Sequence, residues 1–133
     1  MPSLIRLLPL EEDERRRRPR YLVPPEEPLV VGVAVVGGGR LRTLTGRVRD
    51  ISEAGLSILL PDDEACGEMA ERGRTVVVVL TLPSGTITMR AEVAHCAAPG
   101  ARGEGGGYLF GVSITEIDAE DYDRLAGYIG GPG

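Results

Sequence analysis

The sequence predicts an all-β chain closed by a single C-terminal helix, and three observations carry that expectation. Nineteen glycines and ten prolines in 133 residues break the chain into short segments, which favours strands joined by turns over long helices. Within those segments, apolar residues alternate with polar ones or form short unbroken runs, as strands with one or both faces buried require. A helical period appears only after Asp118. Six short strands followed by one amphipathic helix predict a six-stranded antiparallel β-barrel with the helix as its cap.

Taken in order, residues 1–14 read as a flexible lead-in or a short helix. Residues 15–28 are charged, with Pro19, Pro24, Pro25 and Pro28 opposing regular structure, so an extended arm is expected. LVVGVAVV (29–36) is the first strand, and GGGR (37–40) is a turn permissive of positive φ. LRTLTGRVRD (41–50) is the second strand, with Leu44, Gly46 and Val48 on one face and Thr43, Thr45, Arg47 and Arg49 on the other. LSILLP follows ISEAG as the third strand, with Leu56, Ile58 and Leu60 facing inward. Residues 61–73 form a polar connection.

TVVVVLTL (75–82) and TITMRAEVAHC (86–96) are two strands of a hairpin turning at PSG (83–85). PGARGEGGG (99–107) is expected to be a flexible hairpin tip, and YLFGVSIT (108–115) the sixth strand. Asp118 is a good N-cap with Glu120 and Asp121 in the first helical turn, where acids suit the helix dipole. Tyr122, Leu125 and Ile129 then recur at helical spacing through 118–129, and 130–133 is a tail. The chain reads as one domain over 15–129. With one Phe and no Trp, its core must be built from Val, Leu, Ile and Ala.

A net charge of −5 argues against general affinity for nucleic acid or an anionic membrane. Binding to a single strand would also need aromatic platforms and a basic groove, and the chain has four Tyr and one Phe. Cys66 and Cys96 match no zinc spacing and suggest no disulfide framework. MPSLIRLLPL is too short for a signal peptide or membrane span and is interrupted by Pro9, so a cytoplasmic chain without membrane insertion is expected.

The single histidine, His95, sits beside Cys96 in a strand, so the two side chains point to opposite faces. It reads as a surface or rim residue, not a ligand or base. No nucleophile elbow or Walker-type loop occurs, and the acids form no catalytic constellation. No enzymatic activity is expected.

Two segments remain. All 15 basic residues are Arg, and five of them fall within residues 15–20 of EEDERRRRPRY. Alone, this is a solvated charge run. DISEAG (50–55) alone is a β-turn in which Asp50 and Ser52 bond nearby backbone and Gly55 takes a strained φ. Together they are more specific: Arg16 and Arg20 form RxxxR, preceded by Arg15, and Asp50, Ser52 and Gly55 form DxSxxG at a strand end some thirty residues on.

This pair of motifs, with the strands and the closing YLFGVSITEIDAEDYDRL segment, resembles the PilZ domain family over roughly residues 14–129. The resemblance implies a six-stranded antiparallel barrel that binds cyclic di-GMP, with no other cofactor. Arg16 and Arg20 would be the main guanine and phosphate clamps, assisted by Arg15, whose position implies two ligand molecules per site. A guanidinium can fork onto guanine O6 and N7, pair with phosphate or stack on a purine. Asp50 would accept from guanine N1–H and N2–H, Ser52 would offer a hydroxyl, and Gly55 would allow close approach.

Arg17 and Arg18 fall at variable positions, while Arg47, Arg49 and Arg90 read as exposed strand residues. Glu26 and Glu27, just after the arm, are expected to face solvent. The implied function is a stand-alone receptor that changes arm conformation and signals to an unidentified output protein in motility, adhesion or exopolysaccharide secretion. The alternative is an adaptor of the same fold that does not bind nucleotide.

Overall fold

A computed structural model describes residues 4–6, 21–24, 26–37, 40–61, 71–97 and 107–130. These hold strands β1 (Leu4–Arg6), β2 (Tyr21–Leu22), β3 (Val30–Gly37), β4 (Arg40–Ile51), β5 (Gly55–Pro61), β6 (Thr75–Leu82), β7 (Gly85–Ala97) and β8 (Gly107–Asp118), then helix α1 (Ala119–Ile129). The six long strands pair antiparallel in the order β8-β5-β4-β3-β6-β7, and β7 pairs back onto β8. The barrel is therefore closed, and its wall has no free edge along the ring. The six predicted strands correspond to β3–β8, with β7 and β8 extended toward the helix.

Alternation along each strand sends one set of side chains inward. Val31, Val33, Ile58, Val78, Leu80 and Ile87 are fully or almost fully buried, as is Phe110. Burying each is worth about 1.5–3 kcal/mol. Branched aliphatics suit this role because they pack well on a pleated wall.

Helix α1 closes one end. Asp118 caps it, its carboxylate accepting from the Glu120 N–H at 2.9 Å, and Leu125 enters the core with no exposure. Tyr122, Tyr128 and Ile129, partly buried, pack against the core, and Asp121 accepts from the Thr88 N–H of β7 at 3.3 Å. The predicted cap, acidic first turn and apolar spacing are all observed.

Two short strands were not expected. Within the segment read as a lead-in, β1 pairs with the end of β8, Leu4 opposite Asp118 and Arg6 opposite Glu116. Within the arm, β2 pairs with the end of β4, Tyr21 opposite Ile51 and Leu22 opposite Asp50. The remainder of the arm through Arg20, most of the 61–73 connection, all of the 99–107 tip but Gly107 and all of the tail but Gly130 lie outside the described residues.

Candidate functional site

The DISEAG turn begins where β4 departs from regular pairing. Val48 stands opposite Ile58, but the next aligned pair is Asp50 with Ser57, which leaves Arg49 as a bulge. Strict alternation would put Asp50 on the inward face with Leu44 and Val48. The bulge resets the phase, so Ile51 enters the core with no exposure while Asp50 joins Ser57 on the outer wall. An extra residue thus keeps a carboxylate out of an aliphatic core and delivers it to the surface of the barrel. Asp50 and Ser57 are nonetheless buried there, at 9% and 6% exposure.

The turn is held by Ser52. Its hydroxyl donates to the Gly55 carbonyl at 3.2 Å and accepts from the Ala54 and Gly55 N–H groups, each at 3.2 Å. Its backbone N–H also donates to the Gly55 carbonyl at 2.8 Å. The side chain is 3% exposed. Gly55 does not take the expected strained φ: among the described residues only Gly73 and Gly85 have positive φ. Its need for glycine is steric. A Cβ there would overlap the Val112 carbonyl oxygen and lie 3.3 Å from Ser113 Cα, because β8 runs close alongside.

The end of the arm is fastened to the same place. Leu22 pairs with Asp50, and the Val23 N–H donates to the Arg49 carbonyl at 3.0 Å. Arg15, Arg16 and Arg20 lie outside the described residues, but Tyr21 follows Arg20 directly and is paired beside Asp50. The Tyr21 ring meets Tyr128 of α1 edge-on, with centroids 5.2 Å apart. Burial, reinforced by Tyr21, pushes the Tyr128 hydroxyl up to about 12.

Glu26 and Glu27 are both exposed, as expected. Arg47 is exposed on the outer wall of β4, and Arg90 pairs with Glu116 at 3.6 Å on the far end of β7.

His95 is exposed, as the sequence implies, but its placement was not legible. A second irregularity, between Val93 and His95, sets it opposite Gly111 of β8. A Cβ on Gly111 would overlap the Cε1, Nε2 and Nδ1 atoms of its ring, so the imidazole occupies the space that the glycine leaves open. Gly111 is in turn opposite Ser57. Only the pairing of β5 with β8 and of β8 with β7 reveals this, because the three residues are far apart in sequence.

Among the described residues no group of three or more His, Cys, Asp or Glu could hold a metal, and no helix is long and apolar enough to cross a membrane.

Comparison with known proteins agrees with this architecture. The family model described as PilZ domain matches residues 14–131. Among solved structures, the PilZ domain with c-di-GMP of YcgR from Escherichia coli superposes with a TM-score of 0.64 at 16% identity. It covers 84% of this chain and 86% of that one. The Bacillus subtilis inhibitor of motility MotI/DgrA gives a TM-score of 0.66 at 18% identity, covering 86% of this chain and 49% of that one. The MrkH–c-di-GMP complex from K. pneumonia gives 0.62 at 18% identity, with 84% and 49% covered. This chain therefore spans about half the length of those two relatives. Comparison with curated proteins gave no match.

Proposed function

The chain belongs to the PilZ domain family, and from that premise we propose that it is a receptor for cyclic di-GMP. The observation that carries this reading is the β4 bulge, which sets Asp50 on the outer wall directly beside the strand that follows Arg20. A carboxylate there accepts from guanine N1–H and N2–H, while Arg16 and Arg20 offer planar forks to O6, N7 and phosphate. Arg15 adds positive charge and fits a second ligand molecule. Ser52 acts chiefly by locking the turn that aims Asp50, and Gly55 by letting β8 support that turn. Two of the structurally similar proteins carry c-di-GMP in their descriptions, which supports the ligand class.

The signalling step follows from how the arm ends. Arginines drawn onto a dianionic ligand pull on Tyr21, and Tyr21 packs on Tyr128 of α1. Ligand binding then changes the surface formed by the arm and the helix, which a cytoplasmic output protein reads. The chemistry is recognition, with no bond made or broken.

Calorimetric titration with cyclic di-GMP, using GTP as the control, tests this on the unaltered chain and on Arg16→Ala, Arg20→Ala and Asp50→Ala. Saturable heat with cyclic di-GMP alone is expected. Each variant should weaken binding at least about tenfold, since a hydrogen bond to a charged group is worth ~1.5–3 kcal/mol. Absence of heat with the unaltered chain would leave the adaptor that does not bind nucleotide.

A further inference from the structure

The pairing registers extend the site beyond its sequence motifs. Leu22 of β2 stands opposite Asp50 of β4, Asp50 opposite Ser57 of β5, Ser57 opposite Gly111 of β8, and Gly111 opposite His95 of β7. Directly opposed residues share a face of the sheet, so these five form one row across the outer wall. Four inter-strand steps of about 4.8 Å make it roughly 19 Å long.

The row has relief. Its centre is low, because Asp50 and Ser57 are buried and Gly111 has no side chain. Its ends stand up. Leu22 is 70% exposed at one end, and at the other the exposed His95 ring folds inward over Gly111, toward Ser57 and Asp50. A single exposed leucine needs no explanation by itself. An exposed leucine and an imidazole at the two ends of one trough, with a carboxylate in its floor, do.

A guanine held by its donor edge on Asp50 still has two apolar faces to remove from water. Aromatic rings, imidazole included, take such faces in proteins that hold unpaired bases. We infer that His95 and Leu22 are the base-contacting walls of this nucleotide site, His95 by stacking on a guanine face and Leu22 by covering apolar surface at the opposite end. Both lie outside RxxxR and DxSxxG, and the inference rests on reading the site as a cyclic di-GMP receptor.

The chain has no Trp, so His95→Trp places a single indole in the trough. Titrating that variant with cyclic di-GMP should quench its fluorescence, with a midpoint matching calorimetry on the same sample. His95→Ala should bind about tenfold or more weakly, within the range for loss of one base–aromatic stack. His95→Phe should stay within about threefold of the unaltered chain, and Leu22→Ser should weaken binding several-fold. Undiminished binding by His95→Ala, or calorimetric binding by His95→Trp without quenching, overturns the inference while leaving the receptor reading intact. If the unaltered chain gives no heat with cyclic di-GMP, the receptor reading itself fails and takes this inference with it.

Discussion

Replacing Gly55 by alanine should destabilise this barrel far more than the same change at Gly32. At Gly55 the added methyl meets backbone only: it overlaps the Val112 carbonyl oxygen, with Ser113 Cα and the Val112 carbonyl carbon each at 3.3 Å. Those atoms belong to β8, which is held by β5 on one side and β7 on the other, so they cannot turn aside as a flexible side chain could. Relief requires moving the start of β5. That movement strains the Ile114 N–H bond to the Ala54 carbonyl at 2.8 Å and the Ser52 N–H bond to the Gly55 carbonyl at 2.8 Å.

Overpacking costs about 1–3 kcal/mol, and each weakened hydrogen bond ~0.5–1.5 kcal/mol. A total of roughly 2–6 kcal/mol corresponds to a fall in Tm of about 6–24 °C for a domain of this size. At Gly32, by contrast, the nearest atom to the new methyl is the Val79 carbonyl oxygen at 4.0 Å. Gly32→Ala should therefore be neutral or slightly stabilising, because alanine loses less entropy on folding. Thermal unfolding of both variants by circular dichroism is the assay. Equal Tm values would refute the argument that β8 occupies the space beside Gly55.

Other outcomes follow from the same geometry. Ser52→Ala removes an acceptor from two buried-turn N–H groups and should cost about 1–3 kcal/mol, measurable by urea unfolding; Ser52→Thr keeps the hydroxyl and should lose less. Tyr21→Leu and Tyr128→Leu, alone and together, should show a coupling energy of about 0.5–1.5 kcal/mol in a double-mutant cycle, and strict additivity would mean the ring contact carries nothing. Burial, with Tyr21 nearby, raises the Tyr128 hydroxyl from 10.0 to about 12, so its contribution to stability is full below pH 10 and lost as pH rises toward 12. Ultraviolet titration of phenolate formation should find one late-ionising tyrosine, and Tyr21→Phe should bring it down.

The sequence by itself determined the elements. Period-two runs between glycine- and proline-bearing turns fix the six long strands, and Asp118 followed by Glu120, Asp121, Tyr122 and Leu125 fixes the helix, because both signals are local. It also named DISEAG and the arginine arm, since motif spacing survives without any knowledge of pairing. Tertiary structure decided what those residues face. Alternation alone would have sent Asp50 into the core beside Val48; the bulge at Arg49 is visible only against β5, and it turns the carboxylate outward. Gly55 reads as a residue for an unusual φ, yet its need comes from β8, more than fifty residues further along. β1 and β2 are too short to have a period and exist through pairing with β8 and β4. His95 looks like a lone surface histidine until two registers bring it over Gly111 and into line with Ser57 and Asp50. Local patterning selects strands and turns, but which side chains share a face of a closed barrel depends on register, and register is set between distant segments.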